Sequence, residues 1–187
     1  IDDDSERSAQ RTDAAMRLAH TFAAQLVGAY VVPEFEITPS LAAMLPKEIV
    51  NARLPQSGDA QHHAEATFLQ AAAQRGLSAV EWRAPAGAAL DIAVAHGRST
   101  DLIVVSQAKP ATDSAAFASN LINAAVLSTG RPVLVIPYIG AGATLGENVL
   151  VAWDGGLYAA LAISYAVPLL DRARKVHVLA VNVDEDS

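Results

Sequence analysis

Val149-Leu150-Val151-Ala152-Trp153-Asp154-Gly155-Gly156 is the stretch on which the reading of this chain turns. An apolar, β-branched run of this kind reads as a buried parallel strand, here closing on a carboxylate and two glycines. Leu157–Leu170 follows with apolar residues at helical spacing, and Val176–Val183 reads as a further strand. The same succession occurs near residue 1. Asp3-Asp4-Ser5 leads into a stretch in which Ala14, Leu18 and Phe22 recur at about every fourth residue, and Leu26–Val32 reads as the next strand. Asp154 follows Asp3 at nearly the spacing at which Val181 follows Val31, and Ala15 aligns with Ala166, Leu18 with Leu169. A fixed period is the mark of a duplicated structural unit. The expected organisation is a first domain over residues 1–137, a linker over 138–147 and the beginning of a second copy over 148–187. The first strand of the first copy is expected to be largely missing and the second copy to be incomplete.

Working outward, Asp101–Val105 and Pro132–Ile136 are further apolar runs of strand length, and Ala79–Arg83 is a weaker one. Alanine-rich stretches with helical spacing lie between them, around Ala66, Leu69, Ala72 and Ala73, around Leu90, Ala93 and Val94, and around Ile122, Val126 and Leu127. Alternation of strand and helix predicts an α/β fold whose parallel sheet carries helices on both faces. Pro33–Pro55 breaks the rhythm with four prolines and reads as a long excursion with a short helix near Lys47–Ala52. The glycine-rich Tyr138–Gly146 reads as the joint between the two copies.

Composition narrows the function. Thirteen basic residues stand against 20 acidic ones, a net charge of −7. Binding to a nucleic-acid backbone needs a basic face, so nucleic acid is not an expected partner. The chain has no cysteine, which excludes disulfides, thiolate metal sites and cysteine nucleophiles. No apolar run approaches the ~18–20 residues that span a bilayer, so no membrane partner is expected. The acidic Ile1-Asp2-Asp3-Asp4-Ser5 does not read as a signal peptide.

An aspartate at the carboxyl end of a first parallel strand lies beside the crevice where open α/β sheets take ligands. Asp3 and Asp154 both fall there. Each has two readings: an acceptor for an adenine amino group or a ribose hydroxyl, or a cap for the helix that follows. Asp2-Asp3-Asp4 as a cation site is less favoured than a charged chain end with a cap. His62-His63 are adjacent and form no HExxH motif, and His20, His96 and His177 are isolated. Gly140-x-Gly142-x3-Gly146 is one residue too long for a dinucleotide loop and leads into a strand. Ser106, Ser114 and Ser119 have no nucleophile elbow around them. No catalytic residues and no metal ligands are assigned.

Asp3-Asp4-Ser5-Glu6-Arg7-Ser8, Ala29-Tyr30-Val31-Val32, Asp101-Leu102-Ile103-Val104-Val105 and Arg131-Pro132-Val133-Leu134-Val135-Ile136-Pro137 resemble, in order, the signatures of the universal stress protein family. Trp153-Asp154-Gly155 restarts the pattern, and Tyr138–Gly146 is similar to the joint of the tandem branch. The resemblance implies a flavodoxin-like, adenine-nucleotide-hydrolase-like fold, an open five-stranded parallel sheet of order 3-2-1-4-5. It implies a cytoplasmic stress-response module that binds ATP or AMP, with Mg accompanying the nucleotide. It places the adenine near Asp3 and Val31, and in the second copy near Asp154, Gly155 and Val181. It places the phosphates in a glycine loop after the fourth strand, whose positions here carry Ser106, Lys109, Ser119 and Asn120. No glycine occurs between Gly97 and Gly130, so the loop departs from the family pattern and nucleotide is expected mainly in the second half. The last strand, Pro132–Ile136, is expected to pair with a neighbouring copy, in a homo-oligomer or an intramolecular pseudo-dimer. Two alternatives stand beside this reading. One is a carrier of a non-nucleotide small molecule lidded by Pro33–Pro55. The other is a nucleotide-activating enzyme of the related α/β group, although neither an SGG loop nor an HxGH motif is present.

Overall fold

The computed structural model describes residues 5–31, 47–112, 115–142 and 144–180, with the side chains of 5–7 and 47–57 left aside. The chain divides into two compact units, residues 1–140 and 141–187. The first unit runs α1 (Ser5–Phe22), β1 (Leu26–Ala29), α2 (Lys47–Gln74), β2 (Val80–Arg83), α3 (Ala89–Gly97), β3 (Ile103–Ser106), α4 (Ala115–Ser128) and β4 (Val133–Ile136). The second runs β5 (Asn148–Trp153), α5 (Leu157–Leu170) and β6 (Lys175–Ala180).

Every strand pair is parallel. Leu26 faces Val80 across β1 and β2, Ile103 faces Val133 across β3 and β4, and Asn148 faces Lys175 across β5 and β6. Parallel neighbours need a crossover connection, and a helix supplies it in each case. The ladders continue slightly past the strand ends: Tyr30 N–H donates to Arg83 O at 2.8 Å, and Gln107 N–H to Ile136 O at 2.8 Å.

Among the described residues the strands do not form the expected five-stranded sheet of order 3-2-1-4-5. Three separate two-stranded sheets stand in its place. The physical reason lies in the order itself. In it the Leu26 strand and the Ile103 strand never bond to each other, because both bond to a first strand between them. Among the described residues no strand fills that position, so β1–β2 and β3–β4 remain two pairs. β5–β6 belongs to the other unit.

The Pro33–Pro55 reading also changes. Residues 32–46 lie outside the described residues, and α2 runs unbroken from Lys47 to Gln74, through Pro55 and Gly58. Proline and glycine inside a helix cost about 3 and 1 kcal/mol. The later turns of α2 carry the residues that the core holds. Phe68 and Ala72 close on Met16 of α1, with Leu26, Ala71, Leu77, Val80 and Trp82 packed around them. Trp82 also meets Phe68 and Tyr30, with ring centroids 5.4 and 6.1 Å apart. A second buried group, Val105, Ile136, Ala118 and Ala125, lies on β3, β4 and α4. α1 packs against β3, β4 and β1, and Arg11 in its amino-terminal half reaches Ser106 at the carboxyl end of β3.

Candidate functional site

In open parallel α/β arrangements ligands are taken at the carboxyl ends of the strands, and the predicted residues can be placed there one at a time. Asp3 and Val181 lie outside the described residues. Val31 follows β1 and is half-buried.

Asp154 stands directly after β5. Its Oδ1 accepts the Gly156 N–H at 2.8 Å. Gly155 takes φ +76°, a left-handed conformation that glycine adopts without a Cβ clash. The carboxylate therefore holds the strand-to-helix turn, and Gly156, in extended backbone, is the residue from which α5 starts. Asp154 closes this turn and does not cap α5: the N-cap is Gly156, and no side chain caps the helix. Among the described residues no other donor reaches this exposed carboxylate.

Ser106 is the last residue of β3 and is nine-tenths buried. Lys109 is exposed in the loop that follows, where its carbonyl accepts from Thr112 Oγ1 at 2.8 Å. Ala111 in the same loop takes φ +63°, uncommon for a residue with a Cβ and a form of local strain. Ser119 and Asn120 lie inside α4, past its first turn, and are exposed. Among the described residues no hydrogen bond joins any two of these four. The structure thus keeps Ser106 and Lys109 near the strand ends and sets Ser119 and Asn120 on a helix surface.

Sequence reading missed the side chains that meet Ser106. Arg11 of α1 reaches across the ends of β3 and donates from Nη1 to Ser106 Oγ at 3.2 Å and from Nη2 to Ser8 Oγ at 3.2 Å. Beside it Gln10 packs onto Gly140 at φ +89°, where a Cβ would fall 2.7 Å from Gln10 Oε1. A signal was present. Arg11 stands three residues before Ala14 and seven before Leu18, on the face that the apolar spacing assigns to the core. A cation on such a face needs a polar partner.

A third polar group lies at the end of β2. Arg83 forks onto Glu81, Nε to Oε1 at 2.7 Å and Nη2 to Oε2 at 2.9 Å, and its Nη1 meets His96 Nδ1 at 3.3 Å. The hydrogen bond from Arg83 holds the Glu81 carboxyl below its ordinary range; desolvation pulls the other way, and the charges of Arg83 and His96 add to the lowering. Nearby, the Trp82 indole N–H is buried without an acceptor.

The cleft lined by Met16, Arg17, His20, Thr21 and Arg75 lies at the carboxyl end of α1, hence at the amino ends of the strands. Arg17 and Arg75 both bond Asp13 there. It stands at the end opposite to the one at which such folds take ligands. Among the described residues no group of three or more His, Asp or Glu is placed to hold a metal, and no helix is long and apolar enough to cross a membrane.

No protein-family model matches the chain, and no curated protein matches it. The likeness to universal stress proteins accordingly rests on the order and spacing of the motifs quoted above.

Proposed function

We propose that the chain is a non-catalytic, regulatory α/β module that takes an adenine nucleotide at the carboxyl ends of its parallel strands, as universal stress proteins do. The observation that carries this reading is Asp154. It follows a parallel strand immediately before a helix, and one carboxylate oxygen is held by Gly156 N–H while no other donor among the described residues reaches the carboxylate. A fixed carboxylate oxygen suits an adenine amino group or a ribose hydroxyl. ATP would bring Mg with it. The reading extends to a cytoplasmic stress response and to pairing of copies through β4, whose second edge carries no strand among the described residues. An open edge of Val, Leu and Ile is suited to such pairing.

Native mass spectrometry of the full-length chain tests this, because it reads bound small molecules and copy number together. An adenine nucleotide at one per chain is expected, and ATP or AMP should bind the emptied protein. Asp154→Asn keeps an oxygen for Gly156 N–H but removes the charge. It should weaken the nucleotide about tenfold, the size of a single charge-assisted hydrogen bond. Absence of nucleotide, together with no ATP or AMP binding at millimolar concentration, would end the reading.

A second reading, a carrier of a non-nucleotide small molecule, takes its support from Trp82. Its buried N–H without an acceptor lies among Phe68 and Tyr30 and suits a ligand that offers an apolar body and one acceptor. The same measurement separates the two by the mass of what is released.

A further inference from the structure

We propose that Asp154 and Gly155 are a site of covalent self-modification, at which the main chain rearranges and Asp154 becomes an isoaspartate. Asp154-Gly155 is the one aspartate–glycine step in the chain, and the fold leaves it open. Both residues are exposed. Gly155 has no Cβ to shield its own nitrogen, and a Cβ placed there would meet nothing within 4 Å. Among the described residues no acceptor takes the Gly155 N–H, so the attacking nitrogen is not engaged. The bond from Gly156 N–H to Asp154 Oδ1 at 2.8 Å folds the carboxyl group forward over the peptide that follows. Leu157 and Tyr158, which begin α5, are largely exposed, so little packing resists rotation of the turn.

The step needs water alone. The Gly155 nitrogen adds to Asp154 Cγ while its proton passes to solvent. The adduct expels the carboxyl hydroxyl as water, and a five-membered succinimide ring joins side chain to main chain. Water then reopens the ring. Cleavage of the new Cγ–N bond restores aspartate. Cleavage of the bond between the Asp154 carbonyl carbon and the nitrogen leaves the chain running through Cβ and Cγ, with the former carbonyl as a free carboxylate. One water leaves and one returns, and nothing is oxidised or reduced. The main chain gains one carbon, and the carboxyl group that held Gly156 N–H is consumed in the new peptide bond. The other described aspartates are placed differently. Asp13, Asp59 and Asp91 lie within helices. Asp171 is the C-cap of α5, and the next amide, Arg172 N–H, bonds Leu169 O at 3.2 Å. Asp101 is exposed but precedes the half-buried Leu102, a residue with a branched side chain beside the attacking nitrogen.

The test incubates the full chain, folded in warm neutral buffer or unfolded in urea. Each aspartate is read over time by digestion and electron-transfer mass spectrometry, which tells isoaspartate from aspartate. An isoaspartyl-specific methyltransferase supplied with labelled S-adenosylmethionine counts the product independently. In the folded chain isoaspartate should accumulate at Asp154 ahead of Asp101 and Asp171, preceded by a species lighter by one water. Unfolding should raise the rates at the helical aspartates and leave that at Asp154 nearly unchanged. Asp154→Glu should lose the product at this position, because glutamate would have to close a larger ring. Gly155→Ala should slow it. Gly155 takes φ +76°, where alanine is strained, so circular dichroism checks the fold of that variant and Asp154→Glu carries the test if it fails. No isoaspartate at Asp154 in the folded chain, equal rates at Asp154 and Asp101, or a rate at Asp154 that rises steeply on unfolding would overturn the proposal. The outcome does not depend on what the chain binds, so a failed nucleotide measurement leaves it standing.

Discussion

A Cβ added at Gly28 would lie 2.7 Å from Trp82 Cε3 and 3.0 Å from Phe68 Cζ. Both neighbours are rigid rings, and Phe68 is buried, so neither yields by turning a flexible tip. Gly28→Ala should therefore destabilise the first unit by about 1–3 kcal/mol, the usual cost of overpacking; urea unfolding followed by Trp82 fluorescence measures it. Glu81 makes a prediction in pH. Its folded-state pKa is depressed, chiefly by the hydrogen bond from Arg83. A depressed carboxyl contributes stability above its unfolded pKa and loses it as pH falls through the folded one. The wild-type chain should thus exceed Glu81→Gln in thermal midpoint at neutral pH, and the gap should close as pH falls below the ordinary carboxylate value. A gap independent of pH would show that the fork is not what separates the two. What could be read in advance at this scale followed range. Asp154 was legible because it directly follows an apolar run and precedes a helix, whereas its bond to Gly156 N–H was not read. Arg11 meets Ser106 across 95 positions, and no local rule joins those two letters.

Each strand expected from an apolar run appears as a strand, within a few residues at its ends, because a buried parallel strand needs little besides β-branched residues and length. α2 was less legible. Pro55 and Gly58 read as punctuation, yet the helix passes through them. Local propensity lost to a long cooperative element whose far end is anchored by Phe68 and Ala72 in the core. The proline remains a cost, because proline has no N–H for the carbonyl one turn earlier. Pro55→Ala should therefore strengthen α2, by up to about 3 kcal/mol less the entropy the unfolded chain regains. Increased far-ultraviolet helical signal and a higher urea midpoint would show it. No change in either would mean that the first turns of α2 contribute nothing to the folded state.

Over the whole molecule, parallel pairing and crossover helices were legible and the joining of the pairs was not. Pairing is decided by adjacent runs, whereas a continuous sheet also needs a strand to bridge β1 and β3, and none stands there among the described residues. The second unit carries the corresponding imbalance on its surface. Leu150, Leu157, Tyr158 and Val178 are 65, 70, 84 and 67% exposed, on a strand–helix–strand piece too small to cover its own apolar faces.

The division into two units has one optical consequence. Trp82 lies in the first unit and Trp153 at the end of β5 in the second, and the chain holds two tryptophans in all. Each half thus carries its own fluorophore. Replacing one indole with phenylalanine leaves the emission of the other to report on its half alone, so events at Asp154 and events beside Arg11 can be watched in separate channels of the same molecule.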